Sequence, residues 1–252
     1  MLLDRFSVKD KVVIVTGASS GLGVAFAVGF AEAGADVVIG ARRVDKLAAT
    51  AKEVMSRGRR CAVVEADVSE VEDCDRLVAE ALGAFGKVDV LINNAGVATA
   101  SPATREKPDD FRRVIEVNLM GAYWMAQACG RVMSPGSSIL NIGSVLGATT
   151  AGLPQAAYCS SKAAVIGLTR DLAQQWTGRK GIRVNALAPG FFPSEMVDQY
   201  QEGYLDTQLA RVPAGRLGDP EELAAAAVFL ASDAASFVSG VVLPVDGGYL
   251  TS

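Results

Sequence analysis

Apolar positions along this chain follow two periods, and the periods alternate. Short runs rich in β-branched residues predict buried strands. They are "KVVIVTG" (11–17), "DVVIGAR" (36–42), "CAVVEADV" (61–68), "VDVLINNAG" (88–96), "SILNIGS" (138–144), "IRVNALAPG" (182–190) and "GVVLPVDGG" (240–248). Stretches with helical spacing lie between them. "LGVAFAVGFAEAG" (22–34) stops at Gly34, and "RVDKLAATAKEVMSRG" (43–58) follows the second run. "VSEVEDCDRLVAEALGAFG" (68–86) reads as a helix with Ser69 as its N-cap. "DDFRRVIEVNLMGAYWMAQACGRVM" (109–133), a segment opening with "AAYCSSKAAVIGL" (156–168), and "PEELAAAAVFLAS" (220–232) complete the set. Residues 191–215 keep no period and are rich in turn formers. Strand and helix alternate without a break, which predicts a single α/β domain over 1–252. Its parallel sheet is covered on both faces, a doubly wound Rossmann-type fold. Ligands of such sheets bind beyond the carboxyl ends of the strands.

Composition narrows the chemistry. The chain has 252 residues, half of them apolar, so it can bury a large core. Its net charge is −4 and no basic block occurs, which argues against nucleic acid and anionic membrane surfaces as partners. Asp4, Arg5 and Lys9 precede any long apolar run, and later apolar stretches are broken by charge, Gly or Pro. Neither a secretory leader nor a membrane span is expected, and the cytoplasm is the expected location. Four cysteines, at 61, 74, 129 and 159, form no C-x-x-C pair. The chain contains no histidine, so no metal site is expected, and Ser-His-Asp and Cys-His catalysis are excluded. Carboxylate, tyrosine, lysine or cofactor chemistry remains.

The strand ends carry the candidates. The first ends in "TGASSGLG", with Thr16, Gly17, Ser19, Ser20, Gly21, Leu22 and Gly23. A glycine-rich turn entering a helix can set backbone N–H groups against a pyrophosphate, or it can be a tight turn without a ligand. The second ends in Ala41, Arg42 and Arg43, where many NAD-binding domains carry an acidic residue. A guanidinium grips phosphate, so NADP(H) is favoured here, while NAD(H) and a plain solvated arginine pair stay open. Asp67 and Val68 end the third run, where a carboxylate can reach an adenine amino group. Asn93, Asn94, Ala95 and Gly96 end the fourth, where amides can stitch neighbouring strands and small residues leave room for a ribose. Ser144 ends the fifth, and Pro189, Gly190, Phe192 and Ser194 follow the sixth. Tyr158 and Lys162 stand four apart, on one helical face. An unperturbed tyrosine has a pKa near about 10, and a neighbouring ammonium lowers it toward neutral pH.

Taken together, "TGASSGLG", "NNAG", Ser144, "YCSSK", "APG" and "GRLGDPEELAAAAVFLASDAASFVSGVVLPVDGGY" stand in the order and spacing of the short-chain dehydrogenase/reductase family. The resemblance runs from about residue 8 to 250. It is nearest to the 250-residue reductases that include β-ketoacyl-acyl-carrier-protein reductases and gluconate 5-dehydrogenase-like enzymes. It implies sheet order 3-2-1-4-5-6-7 and a catalytic group at Asn118, Ser144, Tyr158 and Lys162. In that group Asn118 anchors a water linking Lys162 to solvent. It also implies that Ser194 replaces the family's carboxamide-binding threonine, and that the chain is a homotetramer. The implied reaction interconverts a ketone and a secondary alcohol on a small molecule. A 3-oxoacyl thioester is one substrate class, and a sugar, polyol or other alcohol is the alternative. A non-catalytic NADP-binding regulator would lack Tyr158 or Lys162.

Substrate choice is expected in 97–107, 145–155 and 191–215, the last acting as a lid with aromatic residues at 191, 192, 200 and 204. An acyl carrier protein is acidic. Arg131 and Lys180 resemble the positions that carrier-protein reductases use to receive one, and they also read as ordinary surface charges.

Overall fold

The computed structural model describes residues 1–195 and 203–251. Among them are seven strands: β1 (Val12–Thr16), β2 (Asp36–Ala41), β3 (Cys61–Glu65), β4 (Val90–Asn93), β5 (Ser138–Ile142), β6 (Arg183–Pro189) and β7 (Val242–Val245). All adjacent pairs are parallel, in the order β3-β2-β1-β4-β5-β6-β7. That is the order the resemblance implied.

The inner strands β1, β2, β4, β5 and β6 are buried along their whole length because both sheet faces are covered there, while the edge strands β3 and β7 are partly exposed. On one face Val13, Val15, Val37 and Ile39 pack beneath α1 (Gly21–Glu32), α2 (Val44–Ser56) and α8 (Pro220–Ala231), through Phe26, Phe30, Leu47, Leu223 and Leu230. On the other, Ile14, Val38, Leu91 and Ile139 meet α3 (Val71–Phe85) and α5 (Gly121–Val132), with Leu172 from α6 (Ala156–Lys180). Successive strand residues point to opposite faces, so Val13 and Ile14 serve different cores. Burying each such side chain contributes roughly 1.5–3 kcal/mol. A third cluster lies at the carboxyl rim of the sheet and includes Val114, Val145, Leu146, Tyr158, Phe191 and Tyr249.

Three expectations change. Ser69 does not cap α3. Glu70 holds the N-cap position, and the Ser69 hydroxyl donates instead to Asp67 at 2.7 Å. The helix expected over 109–133 runs from 108 to 132, and a π-helical turn (Glu116–Met120) is inserted in it between α4 (Pro108–Ile115) and α5. Residues 191–215 hold a short helix, α7 (Tyr204–Leu209), whose Tyr204 hydroxyl donates to Ala151 O at 2.9 Å. Tyr200 lies outside the described residues. No helix among the described residues is long and apolar enough to cross a membrane.

Candidate active site

One cavity of about 530 Å³ runs along the carboxyl ends of the strands, from the glycine-rich turn to the start of α6. It is lined by Gly17, Ser19, Ser20, Gly21, Leu22, Gly23, Arg42, Arg43, Asp67, Val68, Asn94, Ala95 and Gly96. Ser144, Tyr158, Lys162, Pro189, Gly190, Phe192 and Ser194 line it too. Of the candidates expected at the strand ends and in the catalytic group, Thr16, Asn93 and Asn118 are not in its wall. Val97, Ala98, Thr99, Val145, Leu146, Phe191 and Glu195 line it as well, and all lie in the segments 97–107, 145–155 and 191–215 where substrate choice is expected from sequence. Asp110 and Arg113, from α4, are wall residues outside every expected segment.

The turn between β1 and α1 is built for close approach. Gly17 has φ +67°, and a Cβ there would lie 2.7 Å from Ala95 Cα. A Cβ on Gly23 would lie 2.3 Å from the Gly17 carbonyl oxygen. Backbone therefore occupies the space that side chains would take, and the start of α1 is exposed to the cavity. Ser20, the N-cap, makes no side-chain bond to the first turn of α1. The orphan N–H groups of that turn face a cavity instead, as an anion site requires. Thr16 and Asn94 lock β1 to β4. Thr16 Oγ accepts from the Asn94 and Ala95 N–H groups, each at 3.1 Å, and Asn94 Nδ2 donates to Thr16 O at 2.9 Å. Asn93 does the same one strand over, donating to Asn141 Oδ1 and Ala122 O, each at 2.9 Å.

The two arginines after β2 part company. Arg42 pairs with Asp67 at 3.5 Å. Burial alone would raise the Asp67 carboxyl, but its two Ser69 bonds and Arg42 outweigh that and hold it below the usual carboxylate range. Arg43 turns back onto the glycine-rich turn, donating to Ser19 Oγ at 3.0 Å and Ser20 Oγ at 2.7 Å. Arg43 is thus the better-placed cation for an anion at that turn.

At the other end, α6 presents Tyr158 in its first turn and Lys162 one turn later. Tyr158 is 9 % exposed and Lys162 is 4 % exposed. The Lys162 ammonium lies 5.7 Å from the centre of the Tyr158 ring and donates to Ile142 O, the last residue of β5, at 2.7 Å. Burial pushes its pKa down to about 8, so the charge is held at a cost near neutral pH. Ser144 Oγ accepts from the Leu146 N–H at 3.1 Å, which fixes the hydroxyl at the cavity wall. Burial raises the neighbouring Cys159 thiol above its usual pKa, which leaves it no activated nucleophile.

Asn118 sits in the π-helical turn with its side chain fully engaged. Its Nδ2 donates to Val97 O at 2.9 Å and Ser161 Oγ at 3.0 Å, and its Oδ1 accepts from Val97 N–H at 2.8 Å. Both amide protons are thereby used. The side chain pins the segment after β4 to α6, and Ser161 carries the link to the Tyr158 carbonyl at 2.8 Å.

Arg131 and Lys180 do not flank the cavity. Arg131 pairs with Asp75 at 3.1 Å, and Lys180 donates to Gly130 O at 2.7 Å. Both stand at the C-terminal ends of their helices, and at 1.5 Å per residue Lys180 lies roughly 33 Å along α6 from Tyr158.

The family model described as enoyl-(acyl carrier protein) reductase matches residues 17–250. A 2-dehydro-3-deoxy-D-gluconate 5-dehydrogenase of Dickeya dadantii is 38 % identical over 255 residues, 99 % of each chain. A 3-oxoacyl-acyl-carrier-protein reductase of Thermotoga maritima is 38 % identical over 243 residues, 95 % of this chain and 98 % of its own. Among solved structures, a gluconate 5-dehydrogenase from Burkholderia cenocepacia in complex with NADP and tartrate superimposes with a TM-score of 0.91. It is 37 % identical, with 100 % of each chain covered.

Proposed function

The chain belongs to the short-chain dehydrogenase/reductase family, and from that premise we propose that Tyr158 and Lys162 catalyse NADP(H)-dependent interconversion of a ketone and a secondary alcohol. One observation carries this reading. The tyrosine and the buried lysine share a cavity wall with the glycine-rich turn and Arg43. When bound, the cofactor supplies or accepts the hydride. Gly17, Gly23 and the first turn of α1 would hold its pyrophosphate, Asp67 its adenine, and Arg43 with Ser19 and Ser20 its 2′-phosphate. Ser194 would face its carboxamide.

The protein's own part is the proton. Reduction of a ketone leaves negative charge on oxygen. Ser144 donates to that oxygen, and Tyr158 O–H gives up its proton there. The Lys162 ammonium favours the phenolate that remains, and in the oxidative direction the same phenolate takes the proton back. Asn118 acts as a positioning residue through Ser161 and Val97. The proposed substrate lid of the single domain includes residues 191–195 and 203–215, and the rest of the expected lid lies outside the described residues.

Within this reaction class we favour a hydroxy acid of the sugar-acid type. Arg113 lines the cavity from α4 with no acidic partner among the described residues, whereas the Thr99 hydroxyl already donates to Glu106 at 2.9 Å. A carboxylate-bearing substrate would use Arg113. Val145, Leu146 and Phe191 favour the second class, a 3-oxoacyl thioester. The proposed assembly is a homotetramer. β7 pairs only with β6 among the described residues, and exposed Phe237 and Val241 lie just before it. Light scattering is expected to give four times 26.2 kDa, and the mass of one chain would refute the tetramer. Four unpaired thiols support a cytoplasmic location.

Dissociation constants for NADPH and NADH test the cofactor, with NADPH expected to bind more tightly and the reverse order sinking the reading. Oxidation of gluconate-type acids and neutral polyols with NADP⁺, set against reduction of a short 3-oxoacyl thioester with NADPH, then separates the substrate classes.

A further inference from the structure

The anion that NADP(H) would bring to Arg43 has a rival inside the chain. Glu195, in the segment after β6, reaches the place where the glycine-rich turn meets the start of α2. Its Oε2 accepts from Ser20 Oγ at 2.9 Å and from an Arg43 nitrogen at 3.0 Å, and its Oε1 accepts from Lys46 Nζ at 2.5 Å. Arg43 Nε donates to Ser19, and its other terminal nitrogen donates to Ser19 and Ser20. A guanidinium fork, an ammonium and two hydroxyls beside the N-terminus of α1 form the donor set of a phosphate site. In this structure a carboxylate sits among them. Lys46, then Ser20 and Arg43, hold it down at about pKa 2, so it is ionised throughout the neutral range.

We infer that Glu195 is a specificity-determining residue whose carboxylate holds the 2′-phosphate subsite until the phosphate of NADP(H) displaces it from Arg43 and Lys46. The inference rests on the NADP(H) reading given above. Two ionised acids cannot share one set of donors without repulsion, so binding exchanges one anion for the other. The exchange is feasible because the Glu195 side chain is 47 % exposed and can swing into water. A cofactor without the 2′-phosphate has no need to move it. Glu195 therefore weakens NADP(H) selectively and narrows the preference that Arg43 creates. Its role is not to orient Arg43, because bonds to Ser19 and Ser20 already fix that side chain.

The test is isothermal titration of the whole chain with 2′,5′-ADP, which carries the 2′-phosphate, and with 5′-AMP, which lacks it. Wild type, Glu195→Gln and Asp45→Asn are compared. Asp45 is an exposed acid in the first turn of α2, so its loss changes net charge equally without removing a bond to Arg43. Glu195→Gln is expected to tighten 2′,5′-ADP by about fivefold, the scale of lost competition from exposed ion pairs, and to move 5′-AMP by less than about twofold. Asp45→Asn is expected to leave the ratio within about twofold. If wild type prefers 2′,5′-ADP and Glu195→Gln leaves that preference unchanged or weakens it, the inference is overturned and the NADP(H) reading stands. If wild type shows no such preference, the NADP(H) reading fails. The inference then holds only if Glu195→Gln selectively gains 2′,5′-ADP binding.

Discussion

Tyr158→Phe is expected to cut turnover by about 10²–10⁴-fold while NADPH binds within about threefold of the parent. The substitution removes one oxygen from a side chain that is 9 % exposed at the cavity wall. The ring stays in its cluster with Val145, Leu146 and Phe191, so the rim keeps its packing. The proton is lost from the site, and no other group replaces it. The chain has no histidine, Ser144 is an unactivated hydroxyl, and Lys162 is turned onto the Ile142 carbonyl. Stopped-flow turnover and fluorescence titration of NADPH, measured together, decide the matter. Activity within tenfold of the parent would show that the proton travels another way. Loss of NADPH binding in step with turnover would make Tyr158 a cofactor-holding residue and not an acid.

Most of this site was legible because its parts lie at strand ends, and strand ends are easy to find when both faces of a sheet are buried. Val12 through Thr16 are all buried, so the run "VVIVT" announces itself. The chemistry that follows it, from Gly17 to Gly23, is local to the turn. Features set by distant partners were not legible. The π-helical turn around Asn118 has no pattern of its own. It goes with side-chain bonds to Val97, 21 residues away, and to Ser161, 43 residues away. The cap of α3 fell to Glu70 because Asp67 captures the Ser69 hydroxyl. Glu195 looked like one more acid in a turn-rich stretch, since its partner Arg43 lies 152 residues earlier. Arg42 and Arg43, adjacent in sequence, read as one phosphate grip until Asp67 drew one of them aside.

Lys162→Met is expected to lower turnover by about 10²–10⁴-fold and, in the cofactor-free chain at pH 7, to raise the melting temperature by several degrees. The two effects share one cause. The ammonium is 4 % exposed, with a pKa pushed from 10.5 to about 8 by burial. Each unit of such a shift corresponds to about 1.4 kcal/mol, so carrying the charge costs on the order of 3 kcal/mol below pH 8, partly offset by the bond to Ile142. Methionine fills a similar volume without the charge. Because the folded pKa lies below the unfolded one, the unfolded chain binds more protons between about pH 8 and 10.5. Wild-type stability therefore rises with pH across that window relative to the variant. The gap in melting temperature should be widest near pH 7 and close as the wild-type lysine discharges. A gap that stays constant from pH 7 to 10 would mean that better packing, not removal of a buried charge, stabilises the variant. A variant less stable than wild type at pH 7 would mean that the Ile142 bond outweighs the burial cost. If the expected pattern holds, the chain keeps a destabilising cation in its wall because an ammonium beside the phenol is what makes Tyr158 a usable acid and base near neutral pH.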